Sequence, residues 1–594
     1  MLGHDRLVRS DAPPSPAISL VHSAAQTTRE IPSDAGLTTR VRRAAWSILP
    51  LAGMVEALFS RHTMNPDGVS YLDMGDAIVR GDWKMAVNGY WSPLYPWIQG
   101  TALRLAKPST FLQFSVVHFV NFLIFLFAFA CFDLLLQTAV TSVPWLGESE
   151  NRRLPRWAVF AVGYSVFLWS SIALTRIRTV SPDMLMTGLL YLAVALLLKI
   201  WARPQSYSRF ALLGAVLGLG YLAKVAVFPL CGIFLAVAWI VSGNWRKATP
   251  RVLAAVLVFA VVSGPWIAAL SKAKGRFTFG DSGRVNYMLW VDGASPSYYF
   301  RDLGAAGGQY AHPIRQIYDA PAVYEFSTPV KGTLPVWYDA SYWTDGAVPK
   351  LSLRNQVAVI RGWLHFYFDL LFSSQSALFV GFVVLCFVSG RYLFFNQVKA
   401  RWPIWLIGVA GLAMFAIVHV ELRYVAPFFT LCWVGLFSGL KMPRGREGQR
   451  LVALVTLAVV IGTAGPTIGT VFGHLSRSLG AQPNEQWEVA ENLRGLGVAP
   501  GDRVARIGGG FGVVYWARLL GVTEVAEVPL ANSKEFWSAT PEVQAEVIQS
   551  FQRLGVKAVV ADMSDQQVIP GPEWRLLGGR LFALTLAPKI GQPK

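Results

Sequence analysis

Long apolar runs separated by short basic connections dominate this chain. The runs reach or approach the ~20 residues that a helix needs to cross a ~30 Å hydrocarbon core. They fall near 44–60, 111–137, 157–174, 184–200, 208–223, 226–242, 252–270, 375–395, 403–419, 425–440 and 451–471. From Phe210 to Ser242 the only strongly polar residue is Lys224. A single helix of that length would run ~50 Å, so the pattern predicts two short antiparallel helices turning near Lys224 and Pro229. Leu351–Ser374 mixes Arg354, Arg361 and His365 with Trp363, Phe366, Tyr367 and Phe368, as an amphipathic helix on a membrane surface does. Beyond residue 471 the pattern changes. Asp502–Ile507, Val522–Val528 and Val556–Ala561 are strand-like, and Thr540-Pro541 opens a helix with an apolar stripe at Val543, Val547, Phe551 and Leu554. The expected fold is a polytopic α-helical membrane protein of about eleven spans, with a small C-terminal α/β domain.

Charge then orients the spans. Alternate connections carry Arg152/Arg153/Arg156, Lys199/Arg203/Arg209, Arg246/Lys247/Arg251, Arg391/Lys399/Arg401 and Lys441/Arg444/Arg446/Arg450. Basic connections stay cytoplasmic. This predicts an N-in/C-out protein of the cytoplasmic (inner) membrane, with residues 1–43 a disordered cytoplasmic tail and 44–471 the membrane module. Loops 61–110 and 271–355 and the domain 472–594 then lie on the extracytoplasmic, periplasmic side. Composition agrees: 53% hydrophobic, 15% charged, mean hydropathy +0.41. A net charge of +18 would point to nucleic acid in a soluble protein; here it serves orientation, and no nucleic-acid partner is expected. Cys131, Cys231, Cys386 and Cys432 each stand alone in apolar runs and read as small core residues, not as disulfides or metal ligands.

Candidate chemistry collects at the outer helix ends. Asn65-Pro66-Asp67-Gly68-Val69-Ser70-Tyr71-Leu72-Asp73-Met74-Gly75-Asp76 follows the first span, and Tyr90-Trp91-Ser92-Pro93-Leu94-Tyr95-Pro96-Trp97 precedes the second. Asp73 and Asp76 share a helix face, while Asp67 is expected to precede a helix beginning near Ser70. A carboxylate in a water-poor pocket can take a proton from an attacking hydroxyl; helix capping and solvation is the simpler reading for Asp76 and Asp82. Arg176-Ile177-Arg178-Thr179-Val180-Ser181-Pro182-Asp183 puts two arginines on the outer side, as phosphate ligands or interfacial anchors. Lys224, just below the outer surface, needs an anion or a wet cavity, or else snorkels to the headgroups. In His419-Val420-Glu421-Leu422-Arg423-Tyr424, His419 and Arg423 share a face and Glu421 points elsewhere, so a ligand role competes with a Glu–Arg pair fixing two helices. The rings of loop 271–355, Trp337 and Tyr338 among them, suit sugar stacking or membrane anchoring. Gly508-Gly509-Gly510-Phe511-Gly512 reads as a tight structural turn and only loosely as a dinucleotide loop. No Asp-x-Asp or His-rich set indicates a metal, and no cofactor is expected.

The order of an apolar span, an outer loop with an early Asp followed by Tyr, and Ser92-Pro93-Leu94-Tyr95-Pro96 resembles the GT-C superfamily of integral membrane glycosyltransferases. The likeness is to the branch of protein O-mannosyltransferases and aminoarabinose and related lipid-linked sugar transferases. Gly218-Leu219-Gly220-Tyr221-Leu222-Ala223-Lys224 is similar to its Gly-Leu-Ala-x-Leu-Thr-Lys segment, and Glu421-x-Arg423-Tyr424 to its late Glu-x-Arg-Tyr. The likeness covers roughly residues 44–440. It implies transfer of a sugar from a polyprenyl-phosphate-linked donor to a glycan, lipid or protein acceptor. Asp67 then occupies the place of the catalytic carboxylate, and Gly68 replaces the Glu common after it. Lys224 and Arg423, with Arg176 and Arg178, would attend the donor phosphate. Tyr71, Asp73, Tyr95, Asp183, His419 and Glu421 are the expected substrate-binding residues. The rival reading is a transporter or flippase of polyprenyl-linked glycans, which would need polar residues near mid-bilayer.

Overall fold

The structure, a computed structural model, describes residues 34–141, 153–293, 307–389 apart from 328, 399, 401–441, 445–480, 483–510, 514–566 and 570–586. The expected tail therefore lies outside the described residues as far as 33. From Asp34 the chain is already helical, so the first helix takes in the last ten residues assigned to that tail.

In chain order the helices are α1 (Asp34–Phe59), α2 (Pro66–Arg80), α3 (Trp83–Ala86), α4 (Leu94–Ala106), α5 (Gln113–Thr141), α6 (Arg156–Trp169) and α7 (Asp183–Ala202). Then come α8 (Tyr207–Ala223), α9 (Val227–Val241), α10 (Trp245–Lys274), α11 (Ser282–Trp290), α12 (Pro335–Tyr338), α13 (Ala340–Trp343), α14 (Leu353–Phe372) and α15 (Ser376–Ser389). The bundle closes with α16 (Trp402–Ala416), α17 (Leu422–Ser438) and α18 (Gly445–Ser478). A helix underlies each apolar segment read from the sequence. Among the described residues, five helices are long and apolar enough to cross a membrane by themselves, whereas α8, α9, α16 and α17 are shorter. The apolar run around Lys224 is split as expected: α8 ends at Ala223, and α9 begins at Val227. The amphipathic stretch is α14, which has no buried residue and meets α15 at a 75° bend. This is a multi-pass membrane protein.

The C-terminal domain is not separate from the loop between α10 and α14. That loop forms a ribbon of β1 (Gly307–Gly308) and β4 (Ala347–Val348), and a hairpin of β2 (Arg315–Tyr318) and β3 (Val323–Glu325). The hairpin joins a sheet with β5 (Arg503–Ile507), β6 (Thr523–Val528), β7 (Val556–Asp562), β8 (Arg575–Gly578) and β9 (Leu581–Thr585), in the order β2-β3-β6-β5-β7-β9-β8. β3 pairs antiparallel with β6 through Tyr324↔Glu527 and Glu325↔Ala526, while β5 runs parallel to both β6 and β7. A boundary at residue 472 is therefore corrected twice over. α18 runs unbroken through it to Ser478, and the sheet borrows two strands from the loop. Thr540 is the residue before the helix Pro541–Arg553, as its Thr-Pro start predicts. Arg506 is buried between Glu524 and Glu527 and donates to the carbonyls of Gly508 and Gly509 at 2.7 Å each. That fits a structural turn; residues 511–513 of the glycine segment lie outside the described residues.

Helix α2 lies against α4 with almost no space between the backbones. A Cβ at Gly75 would stand 2.6 Å from the Pro96 carbonyl oxygen, and one at Gly100 would stand 2.5 Å from that of Gly75. Backbone cannot swing aside as a side chain does. Gly100→Ala is expected to cost ~1–3 kcal/mol of stability, read as a lower melting temperature in detergent.

Candidate active site

Helix α2 starts at Pro66, four residues earlier than expected, because Asn65 and Pro66 both favour it. Pro66 has its ring at the first helical position, where no N–H is needed. The Asn65 side chain exchanges hydrogen bonds with the backbone of Val180, accepting at 2.8 Å and donating at 3.3 Å. Asp67 is therefore inside the first turn of a helix whose start Asn65 ties to the connection before α7, and not in a preceding loop.

Three other elements bring charge to Asp67. Lys224 is the extended residue that ends α8, Asp183 is the first residue of α7, and Arg423 is in the first turn of α17 behind Glu421. An Arg423 terminal nitrogen reaches Asp67 Oδ2 at 2.9 Å, and its Nε reaches Glu421 at 3.0 Å and Asp183 Oδ2 at 3.7 Å. Lys224 Nζ pairs with Asp183 and lies 3.4 Å from the centre of the Tyr424 ring. Trp337, from the loop, donates its indole N–H to the other Asp67 oxygen at 3.1 Å. Both cations are mostly buried, at 17% and 16% side-chain exposure, so they are screened little by solvent.

Asp67, Asp183, Lys224, Arg423 and Tyr424 line a cavity of about 530 Å³. Its lining is mostly apolar, with Val225, Pro229, Phe277, Phe279, Met414 and Phe415, and also carries Tyr71, Tyr90, Arg276, Thr278, Arg284 and Asn286. A ligand with an anionic group, an apolar part and hydroxyls matches such a lining. Tyr90 sits beside Asn286, whose amide is 3.4 Å from its hydroxyl, and burial raises the Tyr90 hydroxyl well above its usual range. It remains neutral and accepts from that amide.

The residues singled out in the sequence separate into two groups. Asp67, Tyr71, Asp183, Lys224, His419 and Arg423 line the cavity. Glu421 does not point elsewhere: it pairs with Arg423 and lies 3.5 Å from His419 Nε2, because as the residue before α17 it folds back over the helix start. His419 itself stacks on Trp290 at 3.9 Å. Tyr95 is fully buried and donates to Asn121 at 2.7 Å, a packing position behind Tyr71. Arg176 is exposed and Arg178 half-buried, and neither lines the cavity. Asp73 and Asp76 face away from it. Asp76 is not merely solvated, since one terminal nitrogen of Arg518 bridges it and Asp73 at 2.6 and 2.7 Å. Asp82 caps α3 by accepting from the Met85 N–H, as read. Trp337 carried no more signal than the other rings of its loop, and Arg518 carried none, since it approaches α2 only through the tertiary fold. Among the described residues, no three His, Cys, Asp or Glu side chains come together as metal ligands.

No family model matches the chain, and no curated protein matches it in sequence. Among solved structures it is similar to ArnT from Cupriavidus metallidurans bound to undecaprenyl phosphate, at 14% identity and a TM-score of 0.50, over 94% of this chain and 100% of that one. The apo state of that ArnT gives 13% identity and 0.49, over 93% of this chain and 100% of that one. The Archaeoglobus fulgidus oligosaccharyltransferase, solved with Zn and sulfate, gives 13% and 0.47, over 87% of this chain and 68% of that one. The likeness to the ArnT bound to undecaprenyl phosphate is one of fold.

Proposed function

We propose that the protein transfers a sugar from a polyprenyl-phosphate-linked donor to a hydroxyl of an envelope glycan, lipid or protein, by a single inverting displacement. One observation carries this reading: a carboxylate, Asp67, and two mostly buried cations, Lys224 and Arg423, meet in one largely apolar cavity, although Asp67 and Arg423 are 356 residues apart in sequence. The ArnT that shares the fold was solved with undecaprenyl phosphate, which supports a lipid of that class here.

In the proposed step the acceptor hydroxyl gives its proton to Asp67 while its oxygen bonds to the anomeric carbon. The bond from that carbon to the phosphate oxygen breaks, and its electron pair leaves on polyprenyl phosphate. Lys224 and Arg423 take the developing charge, exchanging part of their pairing with Asp183 and Asp67 for the phosphate. Asp67 returns its proton to solvent. The step as written uses these side chains, and the reading places the cavity on the extracytoplasmic face of the cytoplasmic membrane.

Mass spectrometry of envelope glycans from a deletion strain tests the activity. Loss of one sugar from one acceptor is expected, and the missing mass identifies both. Accumulation of complete lipid-linked glycan on the cytoplasmic face would instead indicate a flippase. Topology is tested by single cysteines at 61–110, 271–355 and the C-terminal domain, in a protein stripped of Cys131, Cys231, Cys386 and Cys432. An impermeant thiol reagent should label all three in intact cells, and labelling only after lysis would remove the site from the proposed side.

A further inference from the structure

We propose that Arg518 is a positioning residue for this transfer: through Asp73 and Asp76 it sets the rotation of α2, and with it the place of Asp67 against Lys224 and Arg423. The inference rests on the assignment of Asp67 above. Asp67, Asp73 and Asp76 ride on the same helix, with Asp76 ~180° round from Asp67 and ~13 Å along the axis. Asp73 stands ~120° round from Asp67, so the proposed base and the clamped pair occupy different faces of one rigid rod. Any turn of the rod at one end moves the other.

The clamp is rigid on its far side as well. Arg518 belongs to a short helix, Tyr515–Leu520, whose Trp516 is buried and donates its backbone N–H to Gln486 at 2.9 Å. The guanidinium is itself buried, at 9% exposure, and one of its nitrogens serves both carboxylates. Burial raises the Asp73 carboxyl above its usual range, with the charge of Arg518 pulling the other way. Without that charge, two carboxylates three residues apart would repel in a place with little water.

A second link runs from the same carboxylate to the cavity. Asp73 also accepts from the Thr333 N–H at 2.6 Å and the Thr333 hydroxyl at 3.0 Å, and the Thr333 carbonyl accepts from the N–H of Glu524 in β6 at 3.0 Å. Gly332, at φ +111°, permits this approach, since a Cβ there would lie 3.0 Å from the Asp73 oxygen. Four residues after Thr333, Trp337 donates to Asp67 and accepts at its carbonyl from Ser70 at 3.0 Å. The C-terminal domain thus grips α2 by Arg518 and steadies Asp67 by way of the Thr333–Trp337 segment. A base displaced by ~1 Å typically loses ~10²-fold in rate.

The test compares Arg518→Gln, Arg518→Lys and Asp67→Asn, in the full-length protein in lipid nanodiscs and in the complemented deletion strain at matched protein level. Arg518→Gln is expected to lower the glycan product by roughly tenfold or more, while undecaprenyl phosphate binds within about threefold of wild type. Amide exchange should rise in the peptide 66–80 and stay unchanged in α8 and α17. Arg518→Lys should restore most of the product, because a single ammonium can bridge two carboxylates that a single nitrogen now bridges. Wild-type product from Arg518→Gln beside an inactive Asp67→Asn would overturn the positioning role and leave the base standing. Loss of product together with loss of lipid binding, or a lysine variant no better than glutamine, would also overturn it, leaving Arg518 a folding residue. An active Asp67→Asn would remove the base assignment itself.

Discussion

Asp67→Asn is expected to lower sugar transfer by ~10²–10⁴-fold, the usual effect of removing a positioned general base. The amide keeps the size of the side chain and still accepts the Trp337 indole N–H, so the wall of the cavity should stay in place. Arg423 loses one of three carboxylates and keeps Glu421 and Asp183. Freed from Asp67, it is more available to a phosphate, so polyprenyl phosphate should bind as well as before or somewhat more tightly. Loss of turnover with retained or improved binding separates basicity from architecture. Asp73→Asn makes the useful contrast. It weakens the clamp that positions α2 and leaves the carboxylate in the cavity intact, so it should loosen α2 and lower transfer by roughly tenfold, well short of the loss from Asp67→Asn. Near wild-type transfer by Asp67→Asn would end the assignment, whatever the Asp73 variant does.

Lys224→Met should do two things that a second substitution can separate. Lys224 is the counter-ion of Asp183, a carboxylate only 1% exposed, and removing one partner of such a pair commonly costs ~3–5 kcal/mol. Arg423 lies 3.7 Å away and compensates in part, so the loss should fall at or below the lower end. Lys224→Met/Asp183→Asn removes both charges and should recover most of the melting temperature. If Lys224 also holds the donor phosphate, the double variant should still bind undecaprenyl phosphate at least tenfold more weakly, ~1.4 kcal/mol. Calorimetry on both variants decides it. A stable double variant with wild-type affinity would reduce Lys224 to the partner of Asp183.

The positions of the helices were legible in the chain because a membrane helix must satisfy its backbone internally and cover itself with apolar side chains. Hence each apolar run became a helix, and the single lysine inside the longest run marked the break between α8 and α9. The strands Arg503–Ile507, Thr523–Val528 and Val556–Asp562 were legible for a similar local reason, as β-branched runs bounded by glycine and turn residues. Asp67, Lys224 and Arg423 could be named because each is a charge at the edge of an apolar segment, where it is costly unless used. Their meeting could not be read from spacing. It required α2, α7, α8 and α17 to converge at one end of the bundle, and that follows from packing between segments hundreds of residues apart. The direction of Glu421 failed for a related reason: helical phase does not apply to the residue before the first turn, whose side chain is free to fold back onto it. Asp73 and Asp76 show the limit most plainly. Their spacing correctly put them on one face, but which neighbour that face meets was decided by Arg518, carried in by a sheet that takes two of its strands from a distant loop. Local patterns along a chain report what each segment can bury. Which buried charge answers which is decided only when the segments pack, because opposite charges pair across space and leave no period in the sequence.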